Sequence, residues 1–212
     1  TYKDTRKLTI DKIEDAIRRH FNDCEIRRAY TSHKVIETLR KRDGIVKDTP
    51  EEALEKLADD GFEEVIVQPL HVIPGEEYYY VKSVVCDFKK LGRFNKIILG
   101  RPILFYERQS ESLPDDYSVL VDAVRRIIPH HGALVFMGHG TAHPSNACYP
   151  CLQSVFYDKG YKNVYIATVE GYPALKNVIA HLKEDKVTEV TLAPLMVVAG
   201  DHAKNDMAGE KS

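Results

Sequence analysis

Two hydrophobic periods alternate along the chain and mark out its elements. Residues 4–21 place Leu8, Ile13, Ile17 and Phe21 close to helical spacing among polar positions, which predicts an amphipathic first helix. The short run 24–30 predicts a strand, and 32–42 a second helix ending at Asp43-Gly44. A third helix opens at Asp48-Thr49-Pro50-Glu51-Glu52, where a capping residue, a proline near the first turn and early acids coincide, and it stops at Gly61. Residues 65–70 then form a compact, β-branched run of the buried, parallel-sheet kind, closed at Pro69. A helix over 76–90 and an apolar run over 97–104 follow. Beyond a polar stretch at 107–114 the pattern predicts helix 115–128, strand 133–137, helix 145–159, strand 164–168, helix 173–184 and strand 189–195. Such alternation argues for an α/β protein with parallel sheets covered by helices on both faces.

A repeat divides this pattern into two related halves. Val65-Ile66-Val67-Gln68-Pro69-Leu70 and the turn that follows align with Val190-Thr191-Leu192-Ala193-Pro194-Leu195 at a constant offset of 125 positions, matching at Val, Pro, Leu, Val and Gly. The polar stretch sets the expected boundary, with an N-terminal half over 1–110 and a C-terminal half over 111–212. In the second half Gly138-His139-Gly140-Thr141 ends a strand and precedes a helix, so the repeat predicts a counterpart strand before Thr1. Both ends of the sequence read as cut, and a leader peptide is left open.

Composition narrows the function without naming it. A formal net charge of -2 over 212 residues removes the footprint of a general nucleic-acid binder. No apolar segment approaches the roughly 20 residues needed to span a bilayer. Four cysteines are too few for a disulfide scaffold, and the cytoplasm is the expected compartment, with the periplasm left open by the cut N-terminus.

Chemistry is expected beyond the carboxyl ends of the strands, where open parallel sheets bind ligands. His139, Glu170 and His202 all occupy that position in the second half. Two neutral imidazoles and a carboxylate suit a borderline divalent ion such as cobalt, nickel, iron or zinc. Taken singly, each also fits a hydrogen-bonded loop residue or, for Glu170, a helix cap. A competing set, His139, His143, Cys148 and Cys151, has spacing compatible with zinc or dithiol chemistry, but the cysteine pair falls in a predicted first helical turn, where buried small side chains are the ordinary reading. His71 occupies the loop after the strand at 65–70, and Tyr78-Tyr79-Tyr80 is an aromatic run whose ordinary role is packing.

Three segments carry a resemblance. Met137-Gly138-His139-Gly140-Thr141, Val169-Glu170-Gly171-Tyr172-Pro173 and the run from Pro194 to Gly209, with its Gly200-Asp201-His202-Ala203-Lys204-Asn205-Asp206-Met207 core, resemble in order the anaerobic, CbiK-type sirohydrochlorin cobaltochelatases. Pro69–Tyr78 resembles the corresponding first-half loop, and the likeness extends across essentially the whole chain. The resemblance implies a chelatase-like fold, with two Rossmann-like halves and a tetrapyrrole cleft between them. It implies His139, Glu170 and His202 as the metal-handling and catalytic residues, and insertion of Co2+ into sirohydrochlorin in cobalamin biosynthesis. No cofactor is expected beyond the substrate metal, for which Fe2+, Ni2+ and Zn2+ are the alternatives to Co2+. The partners are a small-molecule tetrapyrrole and a divalent metal, with homo-oligomerisation left open. Arg6 and Lys204 are the basic residues nearest the predicted strand ends. Competing functions are insertion of another metal, a non-catalytic tetrapyrrole or metal carrier, and a two-lobed binding module that needs no histidine pair.

Overall fold

The structure is a computed structural model in which residues 3–108 and 110–198 are described. In chain order it comprises α1 (Lys3–Leu8), α2 (Ile10–His20), α3 (His33–Asp43), α4 (Pro50–Asp59), β1 (Glu64–Val67), α5 (Glu76–Leu91), β2 (Lys96–Leu99) and α6 (Asp116–Val124), followed by β3 (Ala133–Gly138), α7 (Cys148–Asp158), β4 (Val164–Thr168), α8 (Leu175–Glu184) and β5 (Val190–Leu195). Short 3-10 turns follow α6 and, at Pro144–Ala147, precede α7. The described residues form two compact units, one of Lys3–His71 with Glu76–Arg101, the other of Val72–Gly75 with the chain from Pro102 onward.

In the first unit the helix ends follow from local chemistry. Thr49 and Glu52 form a reciprocal capping box at the start of α4, with the Glu52 N–H donating to Thr49 Oγ1 at 3.3 Å and the Thr49 N–H to Glu52 Oε2 at 2.8 Å. Ser32 caps α3 by accepting the Val35 N–H. The single helix expected over 4–21 is broken at Thr9, because the Thr9 hydroxyl donates to the Thr5 carbonyl at 2.8 Å while its N–H turns to Arg6 at 3.2 Å. β1 and β2 are parallel and joined through α5, with Val65 opposite Ile97 and Val67 opposite Leu99. These side chains pack with Val81, Val84, Val85 and Phe88 of α5 and Leu54 of α4. The opposite face carries Ile66, 66% exposed, beside Ile98, so among the described residues this sheet buries one face only.

Residues 24–30 do not form the strand that their pattern predicts. Arg27 pairs with Asp60 at 2.6 Å, and Arg28 with both Asp11 at 2.7 Å and Glu14 at 2.6 Å, so its two consecutive arginines dock by charge. A strand also needs a partner strand, and among the described residues this segment joins neither sheet.

The second unit holds a parallel sheet in the order β4-β3-β5. Every residue of the central β3 is buried. Its Leu134 and Phe136 face Tyr149, Leu152 and Phe156 of α7 and Tyr117 and Val121 of α6, whereas Ala133, Val135 and Met137 face Val178 and Leu182 of α8. Helices therefore cover both faces, each fully buried large side chain contributing about 1.5–3 kcal/mol. β5 departs from the expectation of a sheet covered on both faces: among the described residues it pairs with β3 alone, Val190 and Leu192 are exposed, and only Leu195 is buried. The edge position is also what accommodates Pro194, which has no N–H to offer a second neighbour.

Candidate metal-handling site

The three strands of the second unit end level with one another. Gly138 is in register with Thr168 on one side and with Leu195 on the other. Two backbone hydrogen bonds then join the segments past the strand ends: the Val169 N–H donates to the Gly138 carbonyl at 3.0 Å and the Glu170 N–H to the His139 carbonyl at 2.7 Å. His139 and Glu170 are thus brought side by side on hydrogen-bonded backbones. Both side chains are exposed. His202, the third predicted member, lies outside the described residues, as do Asp201 and Lys204.

Close approach of these loops depends on Gly140. Its φ is +79°, and a Cβ there would overlap the carbonyl oxygen of Glu170. The same carbonyl-lined turn orients the imidazole, whose Nδ1 lies 3.0 Å from the Gly140 oxygen. A carbonyl only accepts, so Nδ1 donates in this contact and, in the neutral ring, the lone pair falls on Nε2.

Polar groups behind the loops hold them. Tyr149 is buried in α7, and its hydroxyl accepts the Gly140 N–H at 3.5 Å; burial pushes its phenol above the ordinary range. Thr168, the one buried polar residue among those described, meets the Pro173 carbonyl twice, through its N–H at 2.7 Å and its hydroxyl at 3.0 Å, and so folds the Glu170 loop back onto β4. Asn146 bonds both loops, accepting the Thr141 N–H at 3.1 Å and donating to the Tyr172 carbonyl at 2.6 Å. Sequence pattern did not single out these three. Their partners are backbone groups from distant segments, and only the glycines beside His139 and Glu170 signal that something packs there.

The competing histidine–cysteine set does not assemble. Among the described residues no group of three or more His, Cys, Asp and Glu side chains is placed to hold a metal. His143 instead caps the 3-10 turn, its Nδ1 accepting the Ser145 N–H at 3.1 Å. Cys148 and Cys151 lie in the first turn of α7 as thiols, and burial pushes both above the ordinary thiol range although the Tyr117 hydroxyl beside them pulls the other way. Such thiols are packing groups rather than nucleophiles.

In the first unit His71 points Nε2 toward Glu77 Oε2 at 3.5 Å, while its Nδ1 is buried without a hydrogen-bond partner among the described residues. Tyr78 is core, Tyr79 is exposed, and the Tyr80 hydroxyl donates to Glu51. Arg6 is engaged with Asp11 at 3.4 Å.

The second unit thus presents an imidazole and a carboxylate, donor types that divalent ions use, at adjacent strand ends. Comparison with known proteins identifies the family. The family model described as Cobalt chelatase (CbiK) matches residues 1–212. The chain is 38% identical over 213 residues to a sirohydrochlorin cobaltochelatase of Salmonella typhimurium, covering 99% of this chain and 77% of that protein. It is 31% identical over 205 residues to the sirohydrochlorin cobaltochelatase CbiKC of Nitratidesulfovibrio vulgaris, covering 95% of this chain and 70% of that protein. The chain belongs to the cobalt chelatase (CbiK) family. Among the described residues no helix is long and apolar enough to cross a membrane.

Proposed function

We propose that this protein inserts Co2+ into sirohydrochlorin, as a metal-inserting lyase of anaerobic cobalamin biosynthesis, and that His139, Glu170 and His202 carry the reaction. The observation that supports this most is the pairing of His139 with Glu170 through their backbones at the ends of β3 and β4, in a chain of the cobalt chelatase family. In this reading His139 binds the ion through Nε2 and His202 supplies a second neutral imidazole. Together they replace part of its hydration shell. Glu170 completes the set or accepts a proton. Metallation exchanges one Co2+ for two pyrrole protons, so charge is conserved, and a carboxylate that relays the two protons one after the other to water gives both a destination. No electron transfer occurs. Apolar residues 195–198, which follow the β5 end, would face the macrocycle. The cytoplasm is the proposed compartment, in keeping with four free thiols.

Imidazole and carboxylate donors do not by themselves choose among cobalt, iron, nickel and zinc, because intrinsic affinity follows the metal more than the site. Anaerobic mixing of the purified protein with sirohydrochlorin and each metal in turn, read by the absorbance of the ring, tests the proposal. Catalysed metallation with Co2+ is the expected result. Tight binding of ring or metal without metallation would overturn it in favour of a carrier.

A further inference from the structure

One amide side chain bolts together the two loops that carry His139 and Glu170. Asn146 belongs to neither loop. It sits in the 3-10 turn Pro144–Ala147 that leads into α7. Its Oδ1 accepts from Thr141 N–H, two residues past His139, at 3.1 Å, and its Nδ2 donates to the carbonyl of Tyr172, two residues past Glu170, at 2.6 Å. The partners fix which end of the amide is which, since one presents an N–H and the other a carbonyl. Gly171 makes room for this arrangement, for at its φ of +140° a Cβ would lie 2.6 Å from Asn146 Oδ1.

The direct bonds between the two segments, Val169 N–H to Gly138 carbonyl at 3.0 Å and Glu170 N–H to His139 carbonyl at 2.7 Å, lie at the strand ends. They anchor the start of each loop. The Asn146 bridge adds two attachments a short way further along each loop, so their relative orientation is set as well as their separation. Metal ligation is sensitive to displacements of about 0.2 Å, and loss of an outer group that orients ligands commonly costs 10–100-fold in metal affinity or activity.

We propose that Asn146 is a positioning residue for metal insertion, holding the His139 and Glu170 loops at the mutual orientation in which both side chains address one divalent ion. This rests on the reading that His139 and Glu170 handle the metal. Neither simple replacement reproduces the bridge. Alanine removes both contacts, and aspartate keeps the acceptor for Thr141 while setting a carboxylate oxygen against the Tyr172 carbonyl.

The test measures anaerobic Co2+ affinity and sirohydrochlorin turnover for Asn146→Ala and the near-isosteric Asn146→Asp, with circular dichroism as the folding control and Asp as the second variant should Ala fail to fold. Both are expected to weaken Co2+ binding about 10-fold and to lower kcat. In a Glu170→Gln background, where the pair to be aligned is already broken, Asn146→Ala is expected to change the Co2+ Kd by less than about twofold, a non-additivity that general loosening would not produce. Wild-type affinity and turnover in both variants, or an undiminished effect in the Glu170→Gln background, would overturn the proposal. Failure of the underlying reading shows separately, as wild-type Co2+ binding and turnover in His139→Ala and Glu170→Gln themselves.

Discussion

Replacing Gly140 by alanine tests how the site is assembled, because the cost divides into two parts that a second glycine separates. Gly140 and Gly160 have nearly equal positive φ values, +79° and +88°, but a Cβ at Gly160 meets nothing within 4 Å whereas one at Gly140 overlaps the Glu170 carbonyl. Gly160→Ala therefore reports the backbone term alone, about 1–2 kcal/mol. Gly140→Ala carries the same term and must also move the Glu170 loop, sacrificing the 2.7 Å bond between Glu170 N–H and the His139 carbonyl. That loss adds about 0.5–1.5 kcal/mol, and relieving the overlap adds to it, for a total of about 2–4 kcal/mol. For a chain of this size about 1 kcal/mol corresponds to roughly 2–4 °C in Tm. Thermal unfolding of the two variants beside wild type should place Gly140→Ala clearly below Gly160→Ala, and Co2+ titration should find affinity reduced in the first and unchanged in the second. Equal Tm values with wild-type Co2+ affinity in both would refute the close apposition of the two loops.

Two further predictions concern groups outside the site. The Arg28 hydrogen bond holds the Asp11 carboxyl below its ordinary 3.8; burial alone would raise Glu14, yet bonds from Arg18 and Arg28 bring it below its ordinary 4.5. Carboxyls with depressed folded-state values stabilise the fold above those ordinary values and lose that contribution as pH falls through the lowered ones. Arg28→Ala should therefore cost about 1 kcal/mol near neutral pH, and the gap from wild type in urea titrations should narrow as pH falls below those ordinary values; a gap independent of pH would refute the pairing. Because burial raises the Cys148 and Cys151 thiols, both should react with iodoacetamide far more slowly at pH 8 than the exposed Cys86, and zinc should not protect them. Fast labelling, or protection by zinc, would restore the competing cysteine site.

Much of the fold was legible where its signals are local. The strand expected at 164–168 coincides with β4, and the helix starts at Thr49 and Asp115 follow from side chains that bond a backbone N–H three residues on. His139 and Glu170 could be placed at strand ends from periodicity alone, and pairing beyond those ends is what the structure adds. What was hidden depends on neighbours. Exposure along β5 reflects its edge position, which no pattern within 190–195 encodes. Residues 24–30 have strand-like alternation, but their arginines serve ion pairs to three acids scattered through the sequence. Asn146 was invisible for the same reason, since an asparagine before a helix reads as an ordinary cap until the carbonyl of Tyr172 arrives beside it.

The central claim is tested most directly by single-turnover metallation: anaerobic sirohydrochlorin, Co2+ and excess protein, with the absorbance change followed for wild type and for His139→Ala. The account predicts rapid insertion by wild type and loss of at least about 100-fold in rate for the variant, with an unchanged circular dichroism spectrum because the His139 side chain is exposed. Insertion at the wild-type rate by folded His139→Ala would contradict it.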